Sequence, residues 1–167
     1  MPEVVARIVG DYPEVTASMV GPNKEDGSLR RCQNLAVELG VANRIAFPGS
    51  IDKADVPTLL ANGDIFLNTS QVDNTPVSVL EAMASGLCVV STDVGGISYL
   101  LEHERDSLLV PPDDPIEMAN AVCRILREPR LAKLLSCNAR RKVEQFDWSV
   151  VLPTWQHVLD SVTALSY

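Results

Sequence analysis

An α/β fold, with a parallel sheet lying between helical layers, is what this sequence predicts, and three observations carry the prediction. Five short apolar runs of strand length alternate with segments of helical period. One stretch, residues 65–91, reads strand, loop, helix, strand, the βαβ unit from which parallel sheets are built. Its second strand, marked by Leu87, Val89 and Val90, is apolar without alternation, as in strands covered on both faces. With 167 residues and 46% hydrophobic composition, the chain is long enough for one domain with a sizeable core.

A first helix is expected over residues 3–10, where Val4, Val5, Ile8 and Val9 recur at helical spacing before Asp11-Tyr12-Pro13 stops it. A strand over 15–20 follows and ends at the turn Gly21-Pro22-Asn23; a helix over 29–39 is closed by Gly40. The second strand, 44–47, runs into the loop Pro48-Gly49-Ser50-Ile51, and a short helix over 54–61 leads to a third strand at 65–68. After the 87–91 strand, the loop Thr92-Asp93-Val94-Gly95-Gly96 precedes a short helix over 97–101. A fifth strand at 108–110 is stopped by Pro111-Pro112. Helices over 116–127 and 130–145 follow, the first with Asp113 and Asp114 near its positive end. A last helix begins at Phe146-Asp147-Trp148-Ser149 and carries the stripe Val151, Leu152, Trp155, Val158, Leu159, Val162, Leu165. Both tryptophans are read as packing residues. The domain is drawn as 1–167, with a core over 1–147 and a C-terminal helix over 148–167.

The chemistry is concentrated in Asp73-Asn74-Thr75-Pro76-Val77-Ser78-Val79-Leu80-Glu81. Thr75 suits an N-cap and Pro76 the first helical position, so a helix should start there, with its free amides at the carboxyl edge of the sheet. Such a helix start favours a phosphate. Asp73 lies just before it and Glu81 roughly 9 Å along the axis, with side chains leaning back toward the N-terminus. Two acids flanking an anion-binding helix end could hold hydroxyls at the two ends of a nucleotide sugar. They could equally be an ordinary cap and a solvated helix residue, and spacing alone does not separate the two readings.

Acid, seven residues, Glu-Ala-Met-Ala, one residue, Gly, two residues, Val-Val and then Gly95-Gly96 resembles the signature of retaining glycosyltransferases of the GT-B fold, the group 1 family that includes glycogen synthase and lipopolysaccharide glucosyltransferases. The similarity runs from the first residues through Trp148 and points to the Rossmann-like C-terminal half, which binds the nucleotide sugar. By this resemblance Asp73 would contact the donor sugar in the catalytic role, and the backbone of Asn74, Thr75, Val77 and Ser78 would hold sugar and diphosphate. Glu81 would bind the ribose hydroxyls. Gly21 would join the donor site, and Ser50 and Ile51 would lie against the base. The family's usual Glu followed by Gly-Phe-Gly is here Asp73 followed by Asn74-Thr75-Pro76, and the acid often found three residues after the Gly-Gly pair is Tyr99. The resemblance implies a nucleotide-diphosphate sugar as donor substrate, with neither a cofactor nor a metal.

It also implies two missing pieces. The family's domain opens with a strand ahead of the first helix, normally in the middle of the sheet. Without it, either another chain supplies a strand, or the strands around Val20 and Phe47 re-pair directly with that at 65–68. The N-terminal acceptor domain would also be absent, so the chain alone should be inactive, and its last helix should expose apolar surface that promotes homo-oligomers.

A net charge of −8 argues against a nucleic-acid partner. Cys32, Cys88, Cys123 and Cys137 lack metal or redox spacing and read as reduced core thiols. His103 and His157 are isolated. With no signal peptide and no apolar run near 18 residues, the expectation is a cytoplasmic protein without a transmembrane segment, the full-length enzyme being free to sit peripherally at a membrane. Two other functions fit the same residues: a GT-B nucleotide-sugar 2-epimerase and a non-catalytic, truncated interaction module. A response-regulator-like domain lacks its acidic pair and its lysine.

Overall fold

The computed structural model describes residues 1–164 of the 167. The elements alternate as expected: α1 (Pro2–Ile8), β1 (Ala17–Val20), α2 (Ser28–Glu38), β2 (Ile45–Gly49), α3 (Val56–Ala61), β3 (Ile65–Asn68), α4 (Val77–Ala84), β4 (Cys88–Thr92), α5 (Ile97–Leu100) and β5 (Leu108–Val110). Three helices follow, α6 (Pro115–Arg127), α7 (Pro129–Val143) and α8 (Trp148–Ala164). Every strand pair is parallel, which is the α/β class that the sequence predicts.

The sheet is split. β1 pairs with β2, Ala17 opposite Ile45, and β3-β4-β5 form a second sheet with Ile65 opposite Cys88 and Val90 opposite Leu108. Among the described residues no ladder joins β1 to β3, so the expected direct re-pairing does not occur. Apolar side chains from the covering helices, Val4 and Ile8 of α1 and Leu59 and Leu60 of α3, line a groove of about 710 Å³ between the two edges.

β4 explains where the core sits. Its residues are buried throughout, and successive side chains point to opposite faces. Cys88 and Val90 therefore join Val4, Ile8, Leu108, Met118 and Leu135 on the side of α1, α6 and α7. Val89 joins Val79, Met83, Ile97 and Leu101 on the side of α4 and α5. Burying a side chain such as Met83 contributes about 1.5–3 kcal/mol. A smaller cluster, Val5, Ala36, Val41 and Ile45, fastens α2 to the first sheet.

Two further expectations change. The tryptophans of α8 are not packing residues: Trp148 is 75% and Trp155 59% exposed, and Leu152 and Val158 are exposed beside them. Leu165 of the expected stripe lies outside the described residues. Of the four thiols, Cys88 and Cys123 are buried and Cys32 is partly so, but Cys137 is exposed. Among the described residues no helix is long and apolar enough to cross a membrane.

Candidate functional site

The carboxyl ends of β3 and β4 carry polar residues that a buried apolar strand would not need: Asn68, Ser91 and Thr92, all buried. A buried polar group must find a partner, and here the partners assemble a scaffold. The Asn68 amide donates to Ser91 Oγ at 3.0 Å, and Ser70 Oγ lies 2.8 Å from Asn68 Oδ1. Thr92 Oγ1 donates to the Ser70 carbonyl at 2.6 Å. The loop after β3 is thereby tied to β4 before it reaches Asp73.

Asp73 is held on both sides. Its Oδ1 accepts the Asn74 amide at 2.8 Å and its Oδ2 lies 3.2 Å from Ser70 Oγ. Its carbonyl accepts the Gly96 amide at 2.9 Å. Gly95 and Gly96 pass so close beneath the loop that an added Cβ on Gly95 would run into the Asp73 carbonyl, and one on Gly96 would lie 2.5 Å from the Asn74 carbonyl oxygen. Gly95 also sits at φ +54°, where glycine is favoured. The Gly-Gly pair therefore lets two loops touch backbone to backbone.

The helix start differs from the expectation by one residue. Pro76, at φ −68° and ψ 122°, is the N-cap, and Val77 rather than Pro76 opens α4. Neither Thr75 nor Asp73 caps it, since no side chain bonds its first amides. Pro76 keeps an extended backbone because the loop ahead of it is fixed against Gly95 and Gly96. The first turn of α4 thus meets its surroundings without an internal side-chain acceptor, which suits an anion.

Ser78 and Glu81 lie on the side of α4 that lines the groove, beside Asn68 and Ser70. Glu81 is exposed, as are Asn74, Thr75 and Val77, while Asp73 is half-buried. Across the groove, the Gly21 amide donates to the Gly49 carbonyl at 3.0 Å, closing the carboxyl ends of β1 and β2 together. Ile51 lines the groove from that side; Ser50, next to it, is exposed. Of the sequence candidates, Ser78 and Glu81 line the groove on one side and Ile51 on the other, while Asp73, Gly21 and Ser50 lie outside its lining. Among the described residues no lysine or arginine lines it. Asn68, Ser70, Ser91 and Thr92 were not singled out from the sequence, although polar residues closing two apolar strands were the available signal.

Residues 1–128 match the family described as glycosyl transferases group 1. The chain belongs to that family. Its relatives by sequence include the phosphatidyl-myo-inositol mannosyltransferase of Mycolicibacterium smegmatis, 28% identical over 98% of this chain and 40% of that protein. Another is the D-inositol 3-phosphate glycosyltransferase of Saccharomonospora viridis, 31% identical over 71% of this chain and 28% of that protein. This group 1 chain thus spans two fifths or less of the length of these relatives. Among solved structures, Anabaena Alr3699/HepE in complex with UDP-glucose superposes with a TM-score of 0.87 at 27% identity, covering 96% of this chain and 44% of that one. The C-terminal domain of a group 1 glycosyl transferase from Francisella tularensis shares the fold, with a TM-score of 0.78 at 22% identity over 86% of this chain and 75% of that domain. These solved neighbours are GT-B enzymes.

Proposed function

We propose that this chain is the donor-binding half of a retaining glycosyltransferase, which takes a sugar from a nucleoside-diphosphate sugar. The observation that carries the reading is the meeting of Glu81, Ser78 and the side-chain-free start of α4 at one groove mouth, beside a loop clamped by Gly95 and Gly96. The complex of Anabaena Alr3699/HepE with UDP supports a uridine nucleotide as the first ligand to test.

Each residue then has a chemical task. The first amides of α4 and its dipole stabilise the diphosphate, most strongly as it departs and gains charge. Glu81 accepts hydrogen bonds from the ribose hydroxyls, and Ser50 and Ile51 form the base's side of the groove. Asp73 contacts the donor sugar. Because its carboxylate already accepts the Asn74 amide and faces Ser70, it is oriented before the donor arrives. Asn74, Thr75, Val77 and Ser78 contribute backbone. The acceptor would be held by the part of the enzyme beyond this domain, so the chain alone binds donor without transferring sugar. The relatives named above are glycosyltransferases, which favours transfer over epimerisation.

Calorimetric titration with UDP tests the reading. A carboxylate hydrogen bond is worth about 1.5–3 kcal/mol, so Glu81→Ala should weaken UDP roughly 10- to 100-fold while leaving the melting temperature unchanged. Absence of binding by UDP and by the other nucleoside diphosphates, with Glu81→Ala changing nothing, would instead favour an interaction module.

A further inference from the structure

The hydroxyl of Ser70 has one proton and two acceptors within reach. Its Oγ lies 2.8 Å from Asn68 Oδ1 and 3.2 Å from Asp73 Oδ2, and a serine can donate to only one of them. The strand ends decide which. Ser91 Oγ donates to the Thr92 carbonyl at 3.0 Å, so it meets the Asn68 amide, also at 3.0 Å, as an acceptor. That turns Nδ2 of Asn68 toward Ser91 and Oδ1 toward Ser70, whose backbone N–H approaches the same oxygen at 3.4 Å. Asn68 is buried, where an acceptor without a proton is costly, whereas Asp73 is half-buried and can reach water. Ser70 therefore gives its proton to Asn68 and turns lone pairs toward Asp73. Oδ1 of Asp73 is served by the Asn74 amide at 2.8 Å, but Oδ2 faces another acceptor.

We propose that Ser70 is a positioning residue: the relay through Asn68 and Ser91 draws its proton away from Asp73 and keeps Oδ2 open for a hydroxyl proton of the donor sugar. The inference rests on the donor reading above and specifies what Asp73 requires of its ligand. A sugar hydroxyl that donates to Oδ2 supplies the proton that Ser70 withholds, a gain that a bare nucleoside diphosphate does not bring. The Ser70 carbonyl accepts Thr92 Oγ1 at 2.6 Å, so the hydroxyl starts from a backbone fixed to β4. Ser70 acts through Asp73, and its effect is confined to the sugar end of the ligand.

Two measurements on the whole 167-residue chain test it. The first is a double-mutant cycle of Ser70→Ala and Asp73→Asn, read as urea midpoints by helical circular dichroism. The amide that Asp73→Asn introduces offers an N–H to the Ser70 lone pairs, so this substitution should be better tolerated with Ser70 present than in the Ser70→Ala background. A coupling of the opposite sign means that Ser70 donates to Asp73 and overturns the proposal, as does the absence of coupling. The second is calorimetric titration with UDP and with UDP-glucose. Ser70→Ala should weaken UDP-glucose about 3- to 10-fold and leave UDP unchanged, Ser70→Thr should retain the native affinity, and Ser70→Ala should add nothing to Asp73→Asn. If UDP binds but Ser70→Ala leaves UDP-glucose unaltered, or weakens both ligands equally, the positioning role is overturned and the donor reading stands. Failure of UDP itself to bind overturns the donor reading and the sugar contact together, and the sign of the stability coupling then still separates the two proton arrangements.

Discussion

Replacing Gly96 by alanine isolates the contact that holds the Asp73 loop. Gly96 has an ordinary backbone, φ −85° and ψ 0°, so alanine introduces no conformational strain. Its Cβ, however, would lie 2.5 Å from the Asn74 carbonyl oxygen, 2.9 Å from that residue's Cα and 3.0 Å from its carbonyl carbon. All three are backbone atoms and none can rotate away. Relief requires Asn74 to retreat by about 0.9 Å to reach the ordinary contact range that begins at 3.4 Å. That movement stretches the 2.9 Å bond from the Gly96 amide to the Asp73 carbonyl. Overpacking costs about 1–3 kcal/mol and a lost hydrogen bond about 0.5–1.5, so the expected destabilisation is roughly 2–4 kcal/mol. Urea denaturation followed by helical circular dichroism measures it, with the slope unchanged. Tryptophan fluorescence is a poor probe because Trp148 and Trp155 are exposed in the folded chain. Gly10→Ala, where nothing lies within 4 Å of the new Cβ, is the matched control and should be neutral or slightly stabilising. If Gly96→Ala fell within about 0.5 kcal/mol of that control, the loops would not be in the contact described.

Two further predictions concern the region behind β5. Lys142 bonds the buried carboxylate of Asp106 at 2.7 Å and reaches Glu102 at 3.3 Å; Lys142→Met should cost about 1–3 kcal/mol by urea denaturation, because Asp106 keeps the Glu102 amide but loses its cation. Hydrogen bonds from Arg105 and then Lys142 hold the Glu102 carboxyl below its ordinary value of 4.5. Since the folded value lies below the unfolded one, this stabilisation is complete above the unfolded value and disappears as pH falls through the folded one. The stability gap between the native chain and Glu102→Gln should therefore be present at neutral pH and close in acid, and a gap that stays constant with pH would contradict the assignment.

The strands were legible to within two residues because each is a short apolar run with a breaker beside it. β1 begins at Ala17 rather than Val15, since Val15 packs into the core without entering the ladder. The start of α4 was displaced by one residue for a tertiary reason: Thr75-Pro76 is good local capping chemistry, but the contact with Gly95 and Gly96, some twenty residues away, decides the backbone there. The Asp73 to Glu81 stretch could be read from its order of acids and apolar positions. The scaffold beneath it could not, because Asn68, Ser70, Ser91 and Thr92 follow no period and acquire meaning only when two strands lie in register, Asn68 opposite Ser91. The exposed tryptophans show the converse: a helical stripe gives the apolar side of α8 but not whether anything covers it.

The Asp73 loop is tied to β4 by Thr92 and by the Asn68–Ser91 bond, and to the loop that follows β4 by the Gly96 amide; β4 is buried throughout. Its tether points therefore share the cooperativity of the core instead of the ease of a surface loop. A lid opens by local fluctuation; a loop anchored on a buried strand is expected to move only with its anchors.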